Sequence, residues 1–191
     1  AVGSANTSVW PPLPSGGAQS IYGGGILDTF VARFAAGSGT LLAFTYLGGA
    51  ANDFANDVAI DAAGAVYVTG FTASPDFPTL TPVQSGLLGT NDVYVTKLDP
   101  MLGTIAWSTY LGGSQSDVAN SIAVTGMGEA VVAGSTLSTD FPTVAPAQGT
   151  QGGGRDVFIA RFSASGTALI HATYLGGSDS ELVPSVAMTA L

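Results

Sequence analysis

The tetrapeptide Tyr-Leu-Gly-Gly stands at Tyr46, Tyr110 and Tyr174, 64 residues apart each time, and the chain around it repeats with it. At that spacing "DTFVARF" from Asp28 falls on "DVYVTKL" from Asp92 and "DVFIARF" from Asp156. "FANDVAI" from Phe54 falls on "VANSIAV" and "LVPSVAM", and "AVYVTGFTASPDFPT" from Ala65 falls on "EAVVAGSTLSTDFPT" from Glu129. The matches cover nearly every residue, so chance reuse of one turn is excluded. The chain is a tandem array, in which each unit buries its apolar faces against its neighbours instead of around a core of its own.

Each unit reads as four short strands, a to d, at Phe30 to Phe34, Leu41 to Leu47, Val58 to Asp61 and Val66 to Phe71. The runs are rich in Val, Ile, Thr and aromatic residues and bounded by Gly, Asn or Asp. With 27 Gly and 10 Pro in 191 residues, turns are frequent and helices disfavoured. Strand a is apolar on both faces, with Phe30, Ala32 and Phe34 on one side and Val31 on the other. A strand of that kind is covered on both faces, as in stacked sheets. The expected fold is all-β: tandem four-stranded antiparallel blades, arranged like a β-propeller or as an open stacked array.

The motifs "DVFIARF", "TYLGGS" and "VYVTG" followed by "DFP" resemble the bacterial SBBP-type beta-propeller repeat. The resemblance implies blade-like four-stranded sheets and an extracellular or cell-surface setting, and it implies no particular reaction. Three units are fewer than an ordinary closed ring contains.

The segment "VGSANTSVWPPL" aligns with "AGSTLSTDFPTV" from Ala133, Gly3 on Gly134 and Trp10-Pro11 on Phe141-Pro142. On this reading residues 1–27 hold a strand d and its following loop, and residues 28–91 and 92–155 are two repeats. Residues 156–191 are a third repeat that lacks strand d. An open sheet edge is a template for another strand. The expectation is therefore that Val2, Gly3, Ser4 and Ala5 are donated to the incomplete last blade, beside Val186, Ala187 and Met188, joining copies head to tail in a filament or ring. Alternatives are that a further repeat of a longer array supplies the strand, or that the chain is a secreted propeller module binding a glycan or surface protein.

Four basic residues against 13 acidic give a net charge of −9, which argues against a nucleic-acid partner, since phosphate binding needs clustered Lys and Arg. There is no Cys, hence no disulfide and no thiolate metal centre. No run approaches the roughly 20 apolar residues of a transmembrane helix. Asp28, Asp92 and Asp156 share one repeat position and Arg33, Lys97 and Arg161 another; both sets read as structural, the acids accepting turn N–H groups and the bases pairing with carboxylates. Asp53, Asp117 and Glu181 share a place in the Gly-rich b–c loop and are weak calcium candidates, since clustered carboxylates suit that ion. No cofactor is otherwise implied. His171, the one histidine, replaces Ala43 and Trp107 and reads as a strand residue. Without a Ser, Asp and His constellation or a convergent acid pair, the residues give no case for an enzyme. Trp10 and Trp107 have rings that can stack on sugars, but Trp10 sits where Phe77 and Phe141 sit and a packing anchor suffices; Asn6-Thr7-Ser8 matches the short pattern of a glycosylation acceptor.

Overall fold

The computed structural model describes residues 1–6, 13–181 and 184–187. Thr7, Ser8, Trp10 and Met188, singled out above, lie outside the described residues. Eleven strands and no helix are found there: β1 (Val2–Ala5), β2 (Asp28–Phe34), β3 (Leu41–Leu47), β4 (Asp53–Ile60), β5 (Val66–Thr72), β6 (Asp92–Leu98), β7 (Ile105–Leu111), β8 (Asp117–Val124), β9 (Ala130–Thr136), β10 (Asp156–Phe162) and β11 (Leu169–Leu175). All pairings are antiparallel. The sheets run β1-β2-β3, β4-β5-β6-β7 and, in spatial order, β8-β9-β10-β11. All-β tandem blades are thus the architecture, and the described sheets form no closed ring.

The sheets are phased differently from the sequence repeat. A blade is c-d-a-b: strands c and d of one repeat pair with a and b of the next, so the boundaries at 28, 92 and 156 fall inside sheets. The last described sheet has all four strands, and β1 pairs with β2, Gly3 opposite Phe30. The expectation that Val2–Ala5 completes the last blade is overturned. Its strand type was read correctly, since Gly3 faces Phe30 as Gly70 faces Tyr94 and Gly134 faces Phe158. Its partner is the adjacent strand a, and the sheet one strand short is the first, which lacks strand c.

Side chains alternate across each strand, so a strand apolar on both faces joins two cores. Val31, Ala43 and Leu47 pack on Val66, Val68, Tyr94 and Leu98 between the first two sheets. Val93, Val95 and Leu111 pack on Ala119, Ile122, Val132 and Phe158 between the second and third. Beyond the first sheet a smaller cluster of Ala32, Phe44 and Tyr46 is covered by Leu13 and Tyr22.

The long d–a loop protects a sheet edge. Leu80 and Gln84 form bridges to Ser108 and Tyr110 along the outer side of β7. Phe77 lies against Tyr94 with ring centroids 4.6 Å apart, and its N–H donates to the Tyr110 hydroxyl at 3.0 Å. Tyr110 in turn donates to the Ser74 carbonyl at 2.7 Å. Phe141, Phe158, Tyr174 and Ser138 repeat the arrangement. The Tyr of each of these two Tyr-Leu-Gly-Gly segments therefore ties the "DFP" loop to its sheet, while Leu47 and Leu111 fill the layer below.

Candidate functional site

The glycines of Tyr-Leu-Gly-Gly sit where strand b leaves one sheet and strand c enters the next. A Cβ on Gly48 would stand 2.8 Å from both Asp28 Oδ1 and Asp53 Oδ2, and one on Gly112 would stand 2.8 Å from both Asp92 Oδ1 and Asp117 Oδ2. At Gly176 the neighbours are Asp156 Oδ1 at 2.7 Å and Glu181 Oε2 at 2.5 Å. Each glycine is thus required by a pair of carboxylates closing over it. Asp28, Asp92 and Asp156 open β2, β6 and β10, and Asp53 and Asp117 open β4 and β8. Two of the pairs therefore bridge consecutive sheets at their corners.

The five aspartates are fully buried. Asp28 accepts Gly23 N–H at 2.5 Å, and Asp92 accepts Leu88 and Gly89 N–H groups and the Gln84 amide. Asp156 Oδ2 accepts Gly152 N–H at 2.8 Å and the Gln148 amide at 3.3 Å. These bonds pin the loop before strand a, as the sequence suggested. Asp53 Oδ2 accepts Gly49 N–H at 2.8 Å and the Ser74 hydroxyl at 2.9 Å, and Asp117 is held in the same way by Gly113 and Ser138. Burial pushes the Asp53 and Asp117 carboxyls up to about 6, against the pull of those donors. Burial also raises Asp28 and Asp92.

The calcium candidates Asp53, Asp117 and Glu181 do not converge. Each belongs to a different pair, and among the described residues no three or more His, Asp or Glu side chains gather in a metal-holding group. Their partners are Asp28, Asp92 and Asp156, a pairing that the 64-residue repeat by itself does not reveal. The signal was the glycine between them, kept in every unit.

The basic stripe is structural. Arg161 is paired with Glu129, Lys97 with Asp61 at 3.6 Å, and Arg33 donates to the Pro100 carbonyl. His171 stands opposite Arg161 in the β10–β11 ladder. Trp107 is buried, donates from Nε1 to the Ala164 carbonyl at 3.2 Å and stacks on Phe162, so it offers no face to a sugar. A pocket of about 370 Å³ between the first two sheets is lined by Val31, Phe34, Val58, Ile60 and Leu102, with Arg33 at its wall.

Val2, Gly3, Ser4 and Ala5 occupy β1, and the Ser4 hydroxyl accepts the Ala55 N–H at 3.2 Å. At the far end, Val186 N–H donates to Ser121 Oγ at 3.3 Å. This bond is the counterpart, 64 residues on, of Ile122 N–H to Asp57 Oδ2 at 2.9 Å, where strand c of the third sheet lies on strand c of the second. Ala187 follows it and is exposed.

No helix among the described residues is long and apolar enough to cross a membrane. No curated protein matches the chain. Residues 44–78, from strand b through the "DFP" loop, match the SBBP beta-propeller repeat. Residues 44–78 thus resemble one SBBP beta-propeller repeat, and the described sheets around them are blade-like, with three or four strands.

Proposed function

We propose that this protein is a non-catalytic structural module that joins copies of itself end to end, outside the cell or at the cell surface. The observation that carries the reading is that its two outer faces are the two halves of its own internal interface. Phe34, at the end of β2 where it also borders the pocket, is 51 % exposed, whereas its counterparts Leu98 and Phe162 are fully buried between sheets. Leu175 on the outer face of the last sheet is 57 % exposed, whereas Leu47 and Leu111 are fully buried. Burying such a side chain contributes roughly 1.5–3 kcal/mol, and both faces have a complementary surface only on another like sheet.

At the far end, Val186 N–H meets Ser121 as Ile122 N–H meets Asp57, so the described residues there continue the stacking that joins the second and third sheets. Repeated between copies, such heterologous stacking gives a filament, or a ring if the rotation closes. The extracellular setting rests on the family resemblance.

Light scattering with electron microscopy over a concentration series tests the proposal. The expected result is concentration-dependent end-to-end assembly that Leu175→Asp and Phe34→Asp each suppress at least tenfold, with the melting of the single chain unchanged. A chain that stays monomeric at high concentration, or assembly indifferent to Leu175→Asp, overturns it.

A further inference from the structure

Asp28, Asp53 and Asp117 each keep one buried oxygen without a hydrogen bond, but only in the third pair do both oxygens that face the glycine lack one. In the first two, the oxygen that faces the glycine from strand c is already occupied, Asp53 Oδ2 by Gly49 N–H and Ser74, and Asp117 Oδ2 by Gly113 N–H and Ser138. In the third, Gly177 N–H binds the other oxygen, Glu181 Oε1, at 3.3 Å. Both oxygens that face Gly176, Asp156 Oδ1 and Glu181 Oε2, are buried and accept no hydrogen bond. Both lie within 2.7 Å of one point, the place of the absent Gly176 Cβ. Asp156 is fully buried, and its second oxygen is fixed by Gly152 and Gln148, so the first is aimed and cannot turn away.

Two acidic oxygens facing each other need a positive charge between or beside them. The protein supplies none: among the described residues the ion pairs are Lys97–Asp61 and Arg161–Glu129, and the Arg155 guanidinium is turned to the Ser135 hydroxyl at 3.2 Å. The surroundings are rich in further oxygen. The loop residues Gly152 to Gly154, which lead into Asp156, pack closely on the backbone of Gly176 to Ser178 and on Ser180, so carbonyl and hydroxyl oxygens are plentiful in the two loops that carry the pair. Hard divalent cations of the calcium class take six to eight oxygen ligands, mixing carboxylate, carbonyl and water. We infer that Asp156 and Glu181 form a binding site for one such cation, with loop carbonyls and water completing its shell.

The site is tested by titrating calcium chloride into chelator-treated protein, following heat and the luminescence of competing terbium. The expected outcome is saturable binding of one ion per chain, a higher melting temperature in calcium than in chelator, and at least a tenfold loss of affinity in Glu181→Gln and in Asp156→Asn. Circular dichroism of Glu181→Gln, whose residue precedes no described strand, checks that the sheets persist. Absence of heat and luminescence overturns the site, as does a stoichiometry of three or unchanged affinity in a folded Glu181→Gln. A melting temperature that ignores calcium overturns it too.

Discussion

Single residues in this chain are dictated by the atoms that close on them. Gly134 is a strand residue with no side chain because a Cβ there would run into the Val118 backbone carbonyl and the Phe158 ring. Gly134→Val overpacks that contact and should cost about 2–3 kcal/mol, read as a lower denaturation midpoint with an unchanged slope. The buried aspartates predict a pH dependence of definite sign. Asp53 and Asp117 stand at about 6 in the folded chain against an ordinary 3.8, so the folded state binds their protons more tightly than the unfolded state does. Their burden is fully felt above pH 6 and is relieved as pH falls toward 4. The melting temperature should therefore rise between pH 7.5 and 4.5, and Asp53→Asn should flatten that rise. Below that window Asp61, Asp99 and Asp140, whose carboxyls hydrogen bonds hold below the usual range despite their desolvation where they are buried, act in the opposite sense.

Strands a, b and d were legible in the sequence because their apolar runs are bounded by turn residues. Strand c was read as Val58 to Asp61 but begins at Asp53, because the register shift between Ala55 and Asp57 breaks the alternation that reveals a strand. Pairing was harder to read than existence. The b–c connection is short and glycine-rich, which suggests a hairpin, yet it steps from one sheet to the next at the carboxylate corner. The d–a connection is long, which suggests a crossover, yet it joins neighbouring strands and spends its length covering the edge of strand b. Loop length alone does not encode that choice; Phe77 on Tyr94 and the Tyr110 hydroxyl do. Strand position also orders local stability. β5 and β9 are central in their sheets and β9 is buried along its whole length, whereas β1 is an edge. Amide exchange should be slowest in β9 and fastest among the strands in the edge strand Val2–Ala5.

At the scale of the whole molecule the period was visible and its phase was not. Self-similarity at 64 residues is invariant to where the unit is cut, so sequence alone cannot say whether a sheet is a-b-c-d or c-d-a-b; the β5–β6 and β9–β10 ladders decide it. The carboxylate pairs were half legible for the same reason, since their members lie in two different layers. The placement of the few basic residues has an outcome of its own. Arg33, Lys97 and Arg161 sit inside β2, β6 and β10 with their side chains engaged, which leaves Arg155 as the one basic residue outside a ladder. Enzymes of the trypsin type need a slack backbone at the bond they cut, so a folded chain presents them with a single foothold, and limited trypsin digestion should cut first after Arg155.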